Sequence, residues 1–224
     1  MKLLVQLTLS TIAGLLFVAL LLFVPAGTLN YWQAWVFLAI FALATTVPNF
    51  YLALRRPDVL SRRMRSGPTA ERRTMQKYVS IGYPLLFVAI AVVSALDHRF
   101  GWSTVPLAVV VVGQVLVAVG LGIGMAVILV NSYAAATVTV QPDQQLVSNG
   151  LYGFVRHPMY FGVMIMMVGC PPALDSLWGL ALLVPGTAIF VLRILDEEKL
   201  LRDELPGYSE YAGRVRHRLV PYIW

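Results

Sequence analysis

The stretch VSNGLYGFVRHPMYFG, residues 147–162, sets Arg156 and His157 directly against Pro158 and a following apolar run. Proline suits the first turn of a helix, where its missing N–H has no partner to lose. A helix therefore starts at Pro158, and Arg156 and His157 stand just outside it, at its positive end. Gly150 and Gly153 let the backbone ahead of them turn tightly. What that helix is buried in decides the fold.

The chain is 58% hydrophobic and 12% charged, with a mean hydropathy of +0.75. Soluble domains carry roughly 25% charged residues, so water is not its main solvent. Apolar runs at 3–24, 32–54, 79–96 and 105–130 reach the about 20 residues that cross a bilayer core as a helix. The first is longer than the roughly 7–15 residues of a signal-peptide core and reads as a retained span. A further apolar pair, 158–173 and 177–195, is separated by Pro171, Pro172 and Asp175. It reads as a C-terminal helical hairpin whose first arm is short enough to be tilted or re-entrant. The expected fold is an all-α, polytopic membrane helical bundle with about six membrane-embedded helices and a short polar tail, 196–224. Gly113, Gly120, Gly122 and Gly124 form an expected small-residue face for close helix packing. Residues 1–77 read as a transmembrane pair plus a basic loop, and 78–224 as the region that carries the site, in one integrated domain.

The net charge of +6 is unevenly placed: Arg55, Arg56, Arg62, Arg63, Arg65, Arg72, Arg73 and Lys77 cluster between two spans. Pro57, Gly67 and Pro68 interrupt that stretch. Such clusters set topology by the positive-inside rule and suit anionic headgroups. Six crossings put both termini and 55–77, 131–157 and 196–224 on one side, with Arg99 alone among the basic residues on the other. The basic side is assigned to the cytoplasm. No aromatic and basic platform for single strands is visible, so nucleic acid is not an expected partner. Cys170 is the single cysteine, and His98, His157 and His217 are scattered, so no disulfide or metal site is expected. His98 reads as loop, His217 as a headgroup contact, and Met164, Met166, Met167 and Cys170 as packing.

A hairpin brings its ends together, which makes His157 a neighbour of Glu197 and Glu198. The order L-V-x-x-G-x-Y-x-x-x-R-H-P-x-Y-x-G from Leu146 to Gly162 is followed by E-E-x-x-L from Glu197 to Leu201. Tyr208, Tyr211, Val215 and Pro221 then follow. This order resembles the isoprenylcysteine carboxyl methyltransferase family and, more loosely, the membrane phospholipid N-methyltransferases, over roughly 113–224. The resemblance implies a methyltransferase that uses S-adenosylmethionine on a lipophilic acceptor in the bilayer, a carboxylate or a lipid headgroup. It implies cofactor contacts from Gln144, Leu146, Val147, Gly150, Leu151, Tyr152, His157, Pro158, Tyr160, Glu197 and Glu198. The glutamates would accept from ribose hydroxyls and the ammonium and favour the cationic sulfonium. Arg156 is the candidate cation beside the acceptor, with Arg193 and Arg214 behind it; the reaction is mainly one of positioning. Gln144 stands where the family commonly has histidine, and it cannot titrate. The competing expectations are an NADPH-dependent membrane reductase of sterol-reductase-like architecture and a non-catalytic membrane protein. The oligomeric state is left open.

Overall fold

A computed structural model describes residues 2–64, 69, 71, 73–134, 139, 140 and 144–224, without the Lys2 side chain. Arg65, Gly67, Pro68 and Arg72 of the basic stretch lie outside the described residues. The helices are α1 (Lys2–Ala26), α2 (Trp32–Arg55), α3 (Pro57–Met64), α4 (Thr74–Phe100), α5 (Leu107–Val130), α6 (Pro158–Ala173), α7 (Leu183–Glu204) and α8 (Tyr208–Arg214). Short 3-10 turns cover Gly150–Gly153 and Trp178–Leu182. Among the described residues there is no strand. Helices α1, α2, α4, α5 and the Trp178–Glu204 segment are long and apolar enough to cross a membrane. At 16 residues α6 spans only about 24 Å, short of a roughly 30 Å hydrocarbon core. Large apolar side chains such as Leu9, Leu16, Val111 and Val115 are exposed around the bundle, as lipid-facing surface requires.

One part of the basic stretch is helix rather than the loop expected. Pro57 opens α3 rather than only breaking α2, for the same reason that Pro158 opens α6: the first turn has no use for its N–H. Helix α3 then seats Val59 and Leu60 against Leu7, Leu52 and Ile128, at the end of the bundle where α6 starts.

The closest packing in the bundle is between α5 and α6, not between α6 and α7. A Cβ on Gly113 would fall 2.4 Å from Ala173 N, and one on Gly120 would fall 2.4 Å from Gly162 O. In return, Gly162 faces Gly120 O and Gly169 faces Gly113 O, each at 2.7 Å from an added Cβ. The two antiparallel backbones therefore touch through pairs of glycines spaced seven apart on each helix. Without a hydrophobic force between helices in lipid, such close van der Waals contact is what holds them. Gly122 and Gly124 have nothing within 4 Å of an added Cβ and take no part in this contact, so the expected four-glycine face narrows to Gly113 and Gly120. Gly122, two residues on from Gly120, points to another side of the helix.

The central core holds Leu22, Phe37, Ile90, Val117, Met167 and Cys170. Beyond it, at the end away from α3, a polar latch ties the bundle. Asp97 accepts from Ser103 N at 2.8 Å, Ser103 Oγ at 2.6 Å and Ser176 Oγ at 2.7 Å. Gln114 donates to Gln33 O at 3.0 Å and Ala173 O at 2.9 Å, and Tyr31 donates to Leu174 O. His98 is not loop: α4 continues to Phe100, and the imidazole stacks on Tyr31 at 3.8 Å with Nδ1 3.3 Å from Asp175 Oδ2.

The glycine contact makes a direct prediction. Gly120→Leu forces the two backbones apart and lowers stability by about 1–3 kcal/mol, the usual cost of overpacking. Gly122→Ala, two residues away in open space, stays within about 0.5 kcal/mol. Thermal unfolding midpoints of the two variants in detergent distinguish them; equal midpoints would mean the helices are not held by this contact.

Candidate functional site

Three consecutive acidic residues near the end of α7 point about 100° apart around the helix, and each meets a different neighbour. Asp196 faces α4: Arg73 Nε donates to its carboxylate at 2.9 and 3.0 Å, and Gln76 Nε2 at 2.7 Å. Glu197 faces α6 and accepts from the Tyr160 hydroxyl. Glu198 faces the segment before α6 and the C-terminal tail. Its Oε1 lies 2.7 Å from Arg156 Nε and 3.4 Å from His157 Nε2. Its Oε2 accepts from Arg218 Nε at 3.1 Å and Arg202 Nη2 at 3.3 Å. Glu198 is 2% exposed.

The tail is strapped to the segment ahead of α6 by backbone as well. Arg156 N and His157 N donate to His217 O and Arg218 O, each at 2.9 Å. Arg156 Nη1 donates to Ala212 O at 3.1 Å, and Tyr211 Oη to Tyr152 O at 2.8 Å. Leu146 and Tyr152 pack on Leu205, Tyr208 and Tyr211 in one apolar cluster. Burial raises the Tyr208 and Tyr211 phenols well above the usual range, with the charge of Glu198 adding to the effect, so both are protonated. Burial likewise lifts Tyr152 to about 12.

Between these elements lies a cleft of about 850 Å³, its open mouth included. Of the residues expected from the sequence, it is lined by Gln144, Leu146, Val147, Tyr152, Arg156, His157, Pro158, Tyr160, Arg193 and Glu197. Gly150, Leu151, Glu198 and Arg214 are not in its wall. Gly150 supplies the turn instead, at φ +58°, in the left-handed region that glycine tolerates. Arg214 ends α8 with its side chain exposed. The imidazole of His157 stacks on Tyr160, with ring centroids 5.6 Å apart. Arg193 holds Tyr160 from behind: its Nε donates to Tyr160 Oη at 2.7 Å and its Nη1 to Gln76 Oε1 at 2.9 Å.

Several wall residues were not singled out as site residues. Tyr208 and Tyr211 belong to the motif order but had no assigned role, and Asn131 was not singled out; its Nδ2 donates to Tyr152 Oη at 2.9 Å. Met159, Leu200, Leu201 and Leu205 supply apolar wall with no signal in a chain already rich in such residues. Gln76, fully buried, carried a signal that went unused: an amide just inside an apolar span needs a partner.

The donor set fits a nucleoside with a charged amino-acid arm. Glu197 offers a carboxylate on the wall, and Tyr208 Oη is buried with no hydrogen-bond partner among the described residues. Flat surfaces are present in Tyr152, His157 and Tyr160. No group of His, Cys, Asp and Glu able to hold a metal occurs among the described residues.

Two comparisons with known proteins bear on this segment. Mouse Delta(14)-sterol reductase is 33% identical over 91 residues, which make up 39% of this chain and 22% of that protein. The chain thus matches only about a fifth of the length of this curated relative. Residues 108–205 match the model of the phospholipid methyltransferase family, one of the two that the motif order resembles. The matched segment runs from the first turn of α5 to the end of α7 and includes Arg156, His157, Tyr160 and Glu197 of the cleft.

Proposed function

We propose that this membrane protein transfers a methyl group from S-adenosylmethionine to a lipophilic acceptor, a carboxylate or a lipid headgroup. The observation that carries the proposal is the shared cleft in which His157, Tyr160 and Glu197 meet inside the family-matched segment. When bound, the cofactor supplies an electrophilic methyl on a sulfonium, whose carbon–sulfur bond breaks as the acceptor's lone pair forms the new bond. The chain's own residues position and exclude. Glu197 accepts from the cofactor's hydroxyls or ammonium, and its charge favours the cation. Tyr160, fixed between Arg193 and Glu197, and the stacked His157 hold a flat wall against the base. The α8 cap over Leu146 and Tyr152 keeps water from the reacting atoms. Arg156 is the cation of the wall that stands beside an acidic acceptor; its pairing with Glu198 fixes its position.

Glu198 acts on this reading as the neutralising centre of the wall, behind the cofactor rather than against it. The two glutamates should therefore separate experimentally. Calorimetric titration with S-adenosylhomocysteine gives measurable binding to wild type, weakened at least tenfold in Glu197→Gln with the unfolding midpoint retained. Glu198→Gln instead lowers stability by about 3–5 kcal/mol, because it leaves the buried Arg156 uncompensated. Wild-type protein that is folded yet binds no S-adenosylhomocysteine overturns the proposal.

The likeness to a sterol reductase supports one other reading, an NADPH-dependent membrane reductase. A carboxylate in the cleft wall opposes it, since Glu197 would repel a dinucleotide's phosphates. NADPH binding in the same titration, without S-adenosylhomocysteine binding, selects that reading.

The basic end of the bundle, with the cleft, is assigned to the cytoplasm. Cysteines at the exposed Ser209 and Thr104 test this, because the native Cys170 is buried. A membrane-impermeant maleimide labels Thr104→Cys in intact cells and Ser209→Cys only in inverted vesicles; the reverse pattern overturns the assignment.

A further inference from the structure

Met159 stands in the wall of two spaces: the polar cleft and a second cleft that opens between α2, α5 and α6. Most of the second wall is apolar, from Pro48 on α2, Leu121 and Gly124 on α5, and Val163 on α6. Its polar members are Thr45, Asn49 and Arg63. Arg63 comes from α3, which is docked through Val59 and Leu60 against Leu7, Leu52 and Ile128, with Met159 packed beside them. This docking puts consecutive arginines on the rim of the polar cleft. Arg63 Nη1 donates at 3.2 Å to the carbonyl of Ala134, and the Arg62 guanidinium lies 6.0 Å from the Tyr133 ring centroid. Ala134 and Tyr133 both line the polar cleft.

Charge separates the two arginines. Arg62 is paired with Asp58 at 2.9 Å in an exposed i,i+4 bridge. Among the described residues Arg63 meets no carboxylate, although it is partly buried and borders apolar wall. A cation drawn out of water into such a wall is costly unless an anion meets it. Neither arginine lies in the segment that matches the family.

We infer that the cleft between α2, α5 and α6 admits the apolar chain of the methyl acceptor from the bilayer, and that Arg63 holds its anionic head beside Met159. The inference deepens the methyltransferase reading and rests on it for the acceptor's role. It assigns acceptor choice to α3, a helix that supplies charge rather than cofactor contacts. The head is an anionic oxygen group, carboxylate or phosphate, at the end of a hydrocarbon chain. A carboxylate head brings a lone pair to the methyl carbon and needs no base: the carbon–oxygen bond forms, the carbon–sulfur bond breaks with its electron pair going to sulfur, and no proton moves.

Protein in phosphatidylcholine nanodiscs, titrated with radiolabelled oleate, oleyl phosphate and oleylamine, tests this. At least one of the anions binds saturably to wild type, and oleylamine at least tenfold more weakly. Arg63→Ala weakens the anion at least tenfold and Arg63→Lys less than threefold, with S-adenosylhomocysteine affinity within twofold of wild type in both. The preferred anion, oleate or oleyl phosphate, identifies the head. Gly124→Leu gives a second reading that leaves the charge in place: an added Cβ meets nothing within 4 Å, so the variant fills the cleft without a backbone clash and weakens the anion as well. No saturable anion binding, equal binding of the amine, or unchanged binding in either Arg63→Ala or Gly124→Leu overturns the inference. A wild-type protein that binds the anion through Arg63 but not S-adenosylhomocysteine keeps the lipid site and removes the methyl-transfer reading instead.

Discussion

A carboxylate removed from water has to be met by cations and hydrogen bonds, and Glu198 imposes that condition on everything around it. Its two oxygens draw in Arg156 and His157 from the segment ahead of α6, Arg202 from its own helix and Arg218 from the tail. The segment ahead of α6, the end of α7 and the tail are distant in sequence, and they converge on this carboxylate. Once they do, the backbone bonds from Arg156 and His157 to the tail close the arrangement, and the cleft forms on its far side. The buried ion cluster is weak as a source of net stability, since desolvation offsets attraction. Its value lies in specifying one arrangement of the loop, the helix start and the tail.

The bundle beneath supplies a rigid base for that cluster. Glycine pairs bring α5 and α6 into backbone contact, and the Asp97 latch ties α4 to the turn after α6 at the opposite end. Helix α7 is held to α4 by Arg73 and Gln76 on Asp196, so Glu197 and Glu198 are presented at a fixed rotation. One turn of helix thus divides three like charges among a structural tie, a cleft wall and a neutralised core. These ties fix the cleft wall without a sheet.

The N-terminal region enters the site through α3. A basic stretch that serves topology by its charge count serves geometry by its fold, because Val59 and Leu60 dock the helix and leave Arg62 and Arg63 on the rim. The polar cleft is built mostly from the segment that matches the family model and the tail, while the second cleft draws on α2 and α3 as well.

The helical membrane bundle was legible in the sequence because apolar length and charge density are local properties, and lipid permits few alternatives to helix. The start of α6 was legible for the same local reason, through Pro158. The meeting of His157 with Glu197 and Glu198 followed from motif order and from counting crossings. Three things were decided only in three dimensions. Which of four glycines face a neighbour depends on how α5 is rotated, and only Gly113 and Gly120 do. Whether an acidic side chain lines a cleft or fills a wall depends on a 100° step that motif order does not reveal, so Glu197 and Glu198 part company. The docking of α3 depends on apolar partners from α1, α2 and α5. Composition tells which solvent surrounds a chain; which side chains share a space depends on the rotation and contact of helices that are distant in sequence.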